Sequence, residues 1–268
     1  MKSFVNGVNL AYDDIGNGPA VMLIHGFPLR RLMWRHQARA LVDSGYRVVL
    51  PDLRGFGDSE VPDGPYSMDV FAEDLAQLMD RLGIGKAVVG GMSMGGYVLF
   101  NLLARHPQRI KAACFIVTRA GGDGDIAKVR RTELAHSTQE KGQEEISRAF
   151  ETILFARETS ILNPGLVAEV KEWMTGTDRR GLAAALLAMR DRRDYSSTLG
   201  VFDLPALVVK AEEDRAIPPA DADLLAAGLP RATLCTLAGG GHMVNLEQPE
   251  AFNACLLDFL GRVSPCRT

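Results

Sequence analysis

The chain has 268 residues, 47% hydrophobic and 24% charged, enough for one large core at a size where single domains begin to divide. A formal net charge of −3 without a Lys/Arg cluster excludes the basic footprint of a nucleic-acid binder, and no apolar run reaches the roughly 18 residues of a membrane helix. Cys114, Cys235, Cys255 and Cys266 lack metal or disulfide spacing, and Met1-Lys2-Ser3-Phe4 leads into polar residues, so a cytoplasmic protein with reduced thiols and no signal peptide is expected.

Residues Ser3 to Asp13 alternate and meet the turn Asp14-Ile15-Gly16-Asn17-Gly18-Pro19, which predicts a strand or hairpin. Ala20 to Ile24 is a short continuous apolar run, the pattern of a strand covered on both faces. It ends in His25-Gly26-Phe27-Pro28, where proline fixes the exit and the Phe27 amide is free to face a ligand. A helix is expected from Met33 to Ser44 and a strand from Tyr46 to Leu50. The following turn, Pro51 to Ser59, carries Asp52 and Arg54, expected to pair with one another or to cap neighbouring backbone. Ser67 is placed to cap a helix running to about Leu82, with Asp69 and Glu73 in its acidic first turn.

Ala87 to Val89 reads as a buried strand and Met94 to Arg105 as a helix. Between them lies Gly91-Met92-Ser93-Met94-Gly95, a G-x-S-x-G sequence in the strand-turn-helix setting that gives it meaning. The chain reverses there so sharply that the positions two before and two after the serine have room for little more than hydrogen, which glycine satisfies. Arg109 to Val117 is a further apolar strand. Strands and helices alternating at short spacing predict a mostly parallel sheet with helices on both faces.

At Thr118 the rhythm breaks. From Ile126 to Asp194 every candidate element is helical: Ile126 to Ser137, Glu144 to Ala156, Pro164 to Thr175 and Arg180 to Arg190. The third bears Leu166, Val167, Val170, Trp173 and Met174 along one face, the fourth Leu182, Leu186, Leu187 and Met189. Such an insert best buries its stripes by folding over the carboxyl edge of the sheet as a lid; an independent helical domain is the alternative. The expected division is a core of residues 1–118 and 199–268 with a cap at 119–198. Sheet signals resume at Leu207 to Ala211, ending in Glu212-Glu213-Asp214-Arg215, then a helix from Pro218 to about Ala227. Ala232 to Leu237 is the last strand, with Cys235, like Cys114, read as buried. Ala238-Gly239-Gly240-Gly241-His242 follows it, and a closing helix runs from Pro249 to Leu260 with the chain fraying from Arg262 on.

Open α/β sheets place their sites along the carboxyl rim, and Phe27, Ser93, Asp214 and His242 all stand at strand exits there. A serine hydroxyl needs an imidazole to take its proton, and the imidazole needs a carboxylate to fix its tautomer. Ser93, Asp214 and His242 supply that set in the chain order of Ser, acid, His. Asp123 and Asp125 are the second candidates for the acid. The amides of Phe27 and Met94 are the candidate oxyanion donors. His25 is expected to brace its own loop, and the histidines lack metal-ligand spacing, so no metal and no cofactor is expected.

Five stretches carry a family resemblance: H-G-F-P at 25–28, D-L-R-G-F-G-D-S at 52–59, G-M-S-M-G-G at 91–96, E-E-D-R-A-I-P-P at 212–219 and G-G-G-H-M-V-N-L-E-Q-P-E at 239–250. With them the sequence resembles the α/β-hydrolase fold family over nearly its whole length. The resemblance implies an eight-stranded, mostly parallel sheet with a helical cap after strand six, the triad and oxyanion roles just given, and a cap that shapes the substrate pocket. Within the family it is similar to capped serine carboxylesterases, to enol-lactone hydrolases of the 3-oxoadipate type and to bacterial non-haem haloperoxidases. Epoxide hydrolases and haloalkane dehalogenases resemble it at H-G-F-P but carry aspartate where Ser93 stands.

A carboxylic-ester hydrolase is therefore expected, acting on small to medium acyl or aryl esters with water as the other reactant, as a monomer or homodimer. Lactone opening and perhydrolysis are the competing chemistries, and a ligand receptor that retained the fold is the non-enzymatic one. Candidate pocket residues are Leu29, Met92, Phe150, Leu154, Trp173, Met174, Leu186 and Met189; Arg119 and Arg190 read by default as solvated surface charges, with contact to a substrate carboxylate as the alternative.

Overall fold

The computed structural model describes residues 1–266. Strands β1 (Lys2–Val5) and β2 (Val8–Ile15) form an antiparallel hairpin. It closes through Asn6-Gly7 at φ 44° and 76°, the positive-φ pair whose twist matches the flanking strands. Then come β3 (Ala20–Ile24), β4 (Arg47–Pro51), β5 (Ala87–Met92), β6 (Ile110–Ile116), β7 (Ala206–Ala211) and β8 (Ala232–Leu237). The sheet order is β1-β2-β4-β3-β5-β6-β7-β8. Only β1 and β2 run antiparallel to their neighbours; from β4 to β8 every pair is parallel. All carboxyl ends of those six strands therefore share one rim.

Successive side chains of a strand point to opposite faces, and here both faces are apolar. Met22, Ile24 and Val89 join one core layer with α2 (Met68–Arg81) and α3 (Met94–Arg105), while Val21, Leu23 and Val88 join the other with α1 (Arg35–Asp43). Each fully buried Leu, Ile, Val, Met or Phe contributes about 1.5–3 kcal/mol against conformational entropy. Helix α2 begins where expected, its Ser67 hydroxyl accepting from the Val70 amide at 3.1 Å.

Between β6 and β7 the chain leaves the sheet as α4 (Asp125–Lys141), α5 (Glu144–Phe150), α6 (Arg157–Leu162), α7 (Pro164–Thr175) and α8 (Arg179–Arg190). Helices α7 and α8 bury their stripes against the core: Leu182 and Leu186 join Phe27 in one layer, and Leu166, Val170, Trp173 and Met174 join Leu29 and Met92 in the other. One boundary differs from the periodicity. The helix expected over Glu144 to Ala156 stops at Phe150, and a separate helix, α6, follows. Tertiary hydrogen bonds account for the break, because the Leu154 carbonyl accepts from Met243 at 2.9 Å and the Ala156 amide donates to Glu247 at 2.9 Å. After β7 come α9 (Pro219–Gly228), α10 (Val244–Glu247) and α11 (Pro249–Val263), the last continuing helical past Arg262; Arg267 and Thr268 lie outside the described residues.

One expectation is corrected, and of the two alternatives for Asp52 and Arg54 the bracing of backbone is the one seen. Cys235 in β8 and Cys255 in α11 are joined as a disulfide, although they lie 20 residues apart without a recognisable spacing, because the sheet places β8 beside α11; Cys235 is half-buried. Asp52 and Arg54 do not pair with one another. Asp52 is fully buried and accepts the amides of Arg31 at 2.7 Å and Asp58 at 2.9 Å, while Arg31 forms an ion pair with it. Arg54 instead makes a two-pronged bond to Asp74, at 2.6 and 2.5 Å. Both partners are buried, so Arg54→Ala leaves an uncompensated carboxylate and is expected to cost about 3–5 kcal/mol. Urea unfolding checks this; a loss under about 1 kcal/mol, the range of a surface pair, contradicts it.

Candidate active site

Ser93 sits between β5 and α3 at φ 51°, ψ −115°, a conformation that costs a non-glycine residue about 1–3 kcal/mol and persists only where surroundings enforce it. Several contacts do so. The Ser93 amide donates to Ile116 at 3.0 Å, its carbonyl accepts from Gly96 at 2.9 Å, and the Thr118 hydroxyl donates to the same carbonyl at 2.7 Å. The flanking glycines are steric requirements: a Cβ on Gly91 would stand 2.2 Å from the Gly95 carbonyl oxygen, and one on Gly95 2.5 Å from that of Ile24. The side chain remains half-exposed, at the N-terminus of a helix.

The loop after β3 lies against this turn, since a Cβ on Gly26 would be 3.3 Å from Ser93 Cβ. His25 braces it. The Leu53 amide donates to Nε2 at 3.0 Å, so the proton is on Nδ1, which donates to the Gly26 carbonyl at 2.9 Å. Burial lowers the His25 pKa, keeping the ring neutral. Among the described residues neither the Phe27 nor the Met94 amide donates to a backbone carbonyl; that of Met94 is an unpaired donor of the first turn of α3.

Asp214 and His242 are 6% and 2% exposed and hydrogen-bonded, Nδ1 to Oδ2, at 2.7 Å. The other oxygen of Asp214 accepts the amides of Ala216 and Ile217 at 2.8 and 2.9 Å, which fixes the carboxylate in place. Among the described residues the Ser93 hydroxyl takes part in no hydrogen bond. Asp123, the second candidate for the acid, is engaged elsewhere: Arg192 lies 2.7 Å and Arg119 3.2 Å away, and Arg131 is also paired with it. Among the described residues no group of three or more His, Cys, Asp or Glu could hold a metal ion, and no helix is long and apolar enough to cross a membrane.

The sequence did not reveal Thr118 or Glu247. Nothing marks Thr118 beyond the break in strand rhythm; its position follows from Val117 at φ 40°, which turns it under the serine. Glu247 had a readable signal, a carboxylate amid the apolar Met243, Val244 and Leu246. It accepts from Gly241 at 3.1 Å, from Ala156 at 2.9 Å and from the Thr159 hydroxyl at 2.6 Å, tying the His242 loop to the cap. Burial raises its pKa against the pull of these bonds. Glu247→Ala strands two amides, at about 1–3 kcal/mol each, and should lower both melting temperature and kcat, with Glu247→Gln intermediate; an unchanged melting temperature in the alanine variant contradicts the tie.

A cavity of about 660 Å³ opens between α4, α5 and the loop after β6, lined among others by Phe150, Leu186, Arg119, Arg130 and Arg131. Phe150 packs edge-on against Phe27 with centroids 5.3 Å apart. Of the other candidate pocket residues, Leu29, Met92, Leu154, Trp173 and Met174 lie in one core layer and Met189 in the other. Arg190 is taken up by Asp191 at 2.7 Å and Thr132 at 3.2 Å.

A family model described as alpha/beta hydrolase fold matches residues 19–249. Among solved structures, a thermophilic esterase from Thermogutta terrifontis (malate bound) superposes with a TM-score of 0.95 at 33% identity, covering 98% of each chain. The enol-lactonase from Burkholderia xenovorans LB400 does so at 0.90 and 30% identity, over 97% of this chain and 99% of that one. Bifunctional epoxide hydrolase 2 of Sus scrofa is 25% identical over 95% of this chain, which spans only 53% of that protein's length. Matched on both sides of the cap and superposing from end to end, the chain belongs to the α/β-hydrolase fold family and is related to esterases, enol-lactonases and non-haem haloperoxidases.

Proposed function

We propose that the chain is a carboxylic-ester hydrolase working through an acyl-enzyme, with Ser93 as nucleophile, His242 as general base and acid, and Asp214 as the group that orients it. The observation that carries this reading is the buried 2.7 Å bond between Asp214 and His242 on the same rim as a serine held at positive φ. Serine at that turn also favours ester over epoxide chemistry.

In the reaction Ser93 Oγ bonds to the ester carbonyl carbon while its proton passes to Nε2 of His242. The carbonyl oxygen becomes an oxyanion that the amides of Phe27 and Met94, neither of which donates to a backbone carbonyl among the described residues, would stabilise. Collapse breaks the bond to the leaving oxygen, which takes the proton from His242. Water then adds to the acyl carbon, gives a proton to the same imidazole, and Ser93 recovers it as the acid departs. Ester and water balance the reaction, without cofactor.

Lactone opening is the second reading, supported by the likeness to the enol-lactonase; hydrogen peroxide replacing water would give a peracid, as the relation to a bromoperoxidase suggests. The test is turnover of p-nitrophenyl esters of increasing acyl length beside an aromatic lactone. Turnover of either class that disappears in Ser93→Ala sustains the reading; absence of turnover on all of them defeats it.

A further inference from the structure

The cavity beneath the cap helices has a charge pattern that simple ester hydrolysis does not explain. Although the whole protein is negative, three arginines line this cavity against two aspartates, Asp123 and Asp125. Asp123 is already saturated: burial would raise its pKa, yet Arg131 and Arg192 hold it below the usual carboxylate range. Arg192 stands outside the lining, so the balance on the cavity wall is more positive than its own residues imply. Asp125 sits in the first turn of α4, where the helix dipole offsets part of its charge.

Two of the arginines have donors to spare. Arg119 reaches Asp123 at 3.2 Å and Asp221 only at 3.8 Å and lies beside the Tyr97 hydroxyl; its Nε is sealed from solvent, so its terminal nitrogens are the donors a ligand can reach. A guanidinium offers five donors in a fork that matches a carboxylate, more than these contacts use. Arg130 is exposed and, among the described residues, is in no ion pair. Beside it Ile126 and Val129 are 73% and 55% exposed, giving the mouth an apolar lip.

None of Ser93, Met94, Phe27, Asp214 and His242 lines this cavity; it is linked to the serine turn through two neighbours. Arg119 follows Thr118, whose hydroxyl holds the Ser93 carbonyl, and Phe150 touches both the cavity and Phe27. A volume of about 660 Å³ falls in the range of small-molecule sites.

We propose that this cavity reads a free carboxylate on the substrate, so that the preferred substrates are monoanionic esters or lactones, with the carboxylate at Arg119 and Arg130 and the apolar body between Phe150 and Leu186. The proposal rests on the esterase reading and adds the substrate class to it. Arg119 turns its terminal nitrogens to the anion, Arg130 draws the anion to the mouth, and Arg131 stays engaged with Asp123 as support.

The test compares p-nitrophenyl valerate with mono-p-nitrophenyl glutarate, which differ by a carboxylate in place of the terminal methyl. The expected result is a kcat/KM about tenfold or more in favour of the glutarate, falling with salt, and a ratio that drops toward one in Arg119→Gln and, by a smaller factor, in Arg130→Gln. Arg130 is exposed, so its variant reports even if Arg119→Gln fails to fold. Equal rates on the two esters in the wild type, or a ratio unchanged in the Arg130 variant and in any folded Arg119 variant, overturns the proposal. Calorimetric binding of monomethyl glutarate to Ser93→Ala protein separates the two readings. If neither p-nitrophenyl ester turns over, the esterase reading fails, yet binding that is weakened in Arg130→Gln still supports the anion site, and absence of binding removes it.

Discussion

Ser93→Ala is expected to lower kcat on a p-nitrophenyl ester by about 10⁶-fold with KM little changed. The hydroxyl is the only group at the turn after β5 that can form the acyl bond. The buried thiol of Cys114 offers no substitute, because burial pushes its pKa up. Oxyanion donors and binding should leave a residual rate about 10³–10⁴ above that in water. Alanine meets the same strain at φ 51° as serine does, so the melting temperature should stay close to that of the wild type. A loss of less than about 100-fold would mean that another nucleophile acts.

Asp214→Asn carries the next largest effect, about 10⁴-fold in kcat. One oxygen of Asp214 accepts two amides, from Ala216 and Ile217. An asparagine at this position must keep its carbonyl oxygen there, because its amide group would oppose two donors. The NH₂ group then faces Nδ1 of His242 and forces that nitrogen to accept, which places the ring proton on Nε2. An imidazole protonated on Nε2 cannot take the proton of Ser93. The fold should be intact, with a melting temperature near that of the wild type. Combining Asp214→Asn with Ser93→Ala should cost no more than Ser93→Ala alone, since the groups act as a unit; additive losses would separate Asp214 from the reaction.

The core was legible in the sequence because its signals are local. Apolar runs bounded by Gly and Pro gave β3, β5 and β6, and α3 begins and ends at the residues its period indicates. The serine turn was legible for the same reason, its glycines being required by contacts within the turn and with the adjacent strand. What stayed hidden depends on contacts between distant segments. The end of α5 at Phe150 is dictated by Met243 and Glu247, far along the chain, and the disulfide by the packing of β8 on α11. Arg54 finds Asp74 instead of its neighbour Asp52 because α2 brings that carboxylate beside it. The cap was readable as helical but not in its contacts: of eight candidate pocket residues only Phe150 and Leu186 line the large cavity, since a stripe of apolar side chains serves a core and a pocket equally well.

The most direct measurement is covalent labelling of the wild-type protein with a p-nitrophenyl phosphonate, followed by intact mass and peptide mapping. One phosphonyl group on the peptide carrying Ser93, with esterase activity lost in proportion to labelling and no label taken up by Ser93→Ala, is the expected result. Label on a different residue, or ester turnover persisting in fully labelled protein, would contradict Ser93 as the nucleophile.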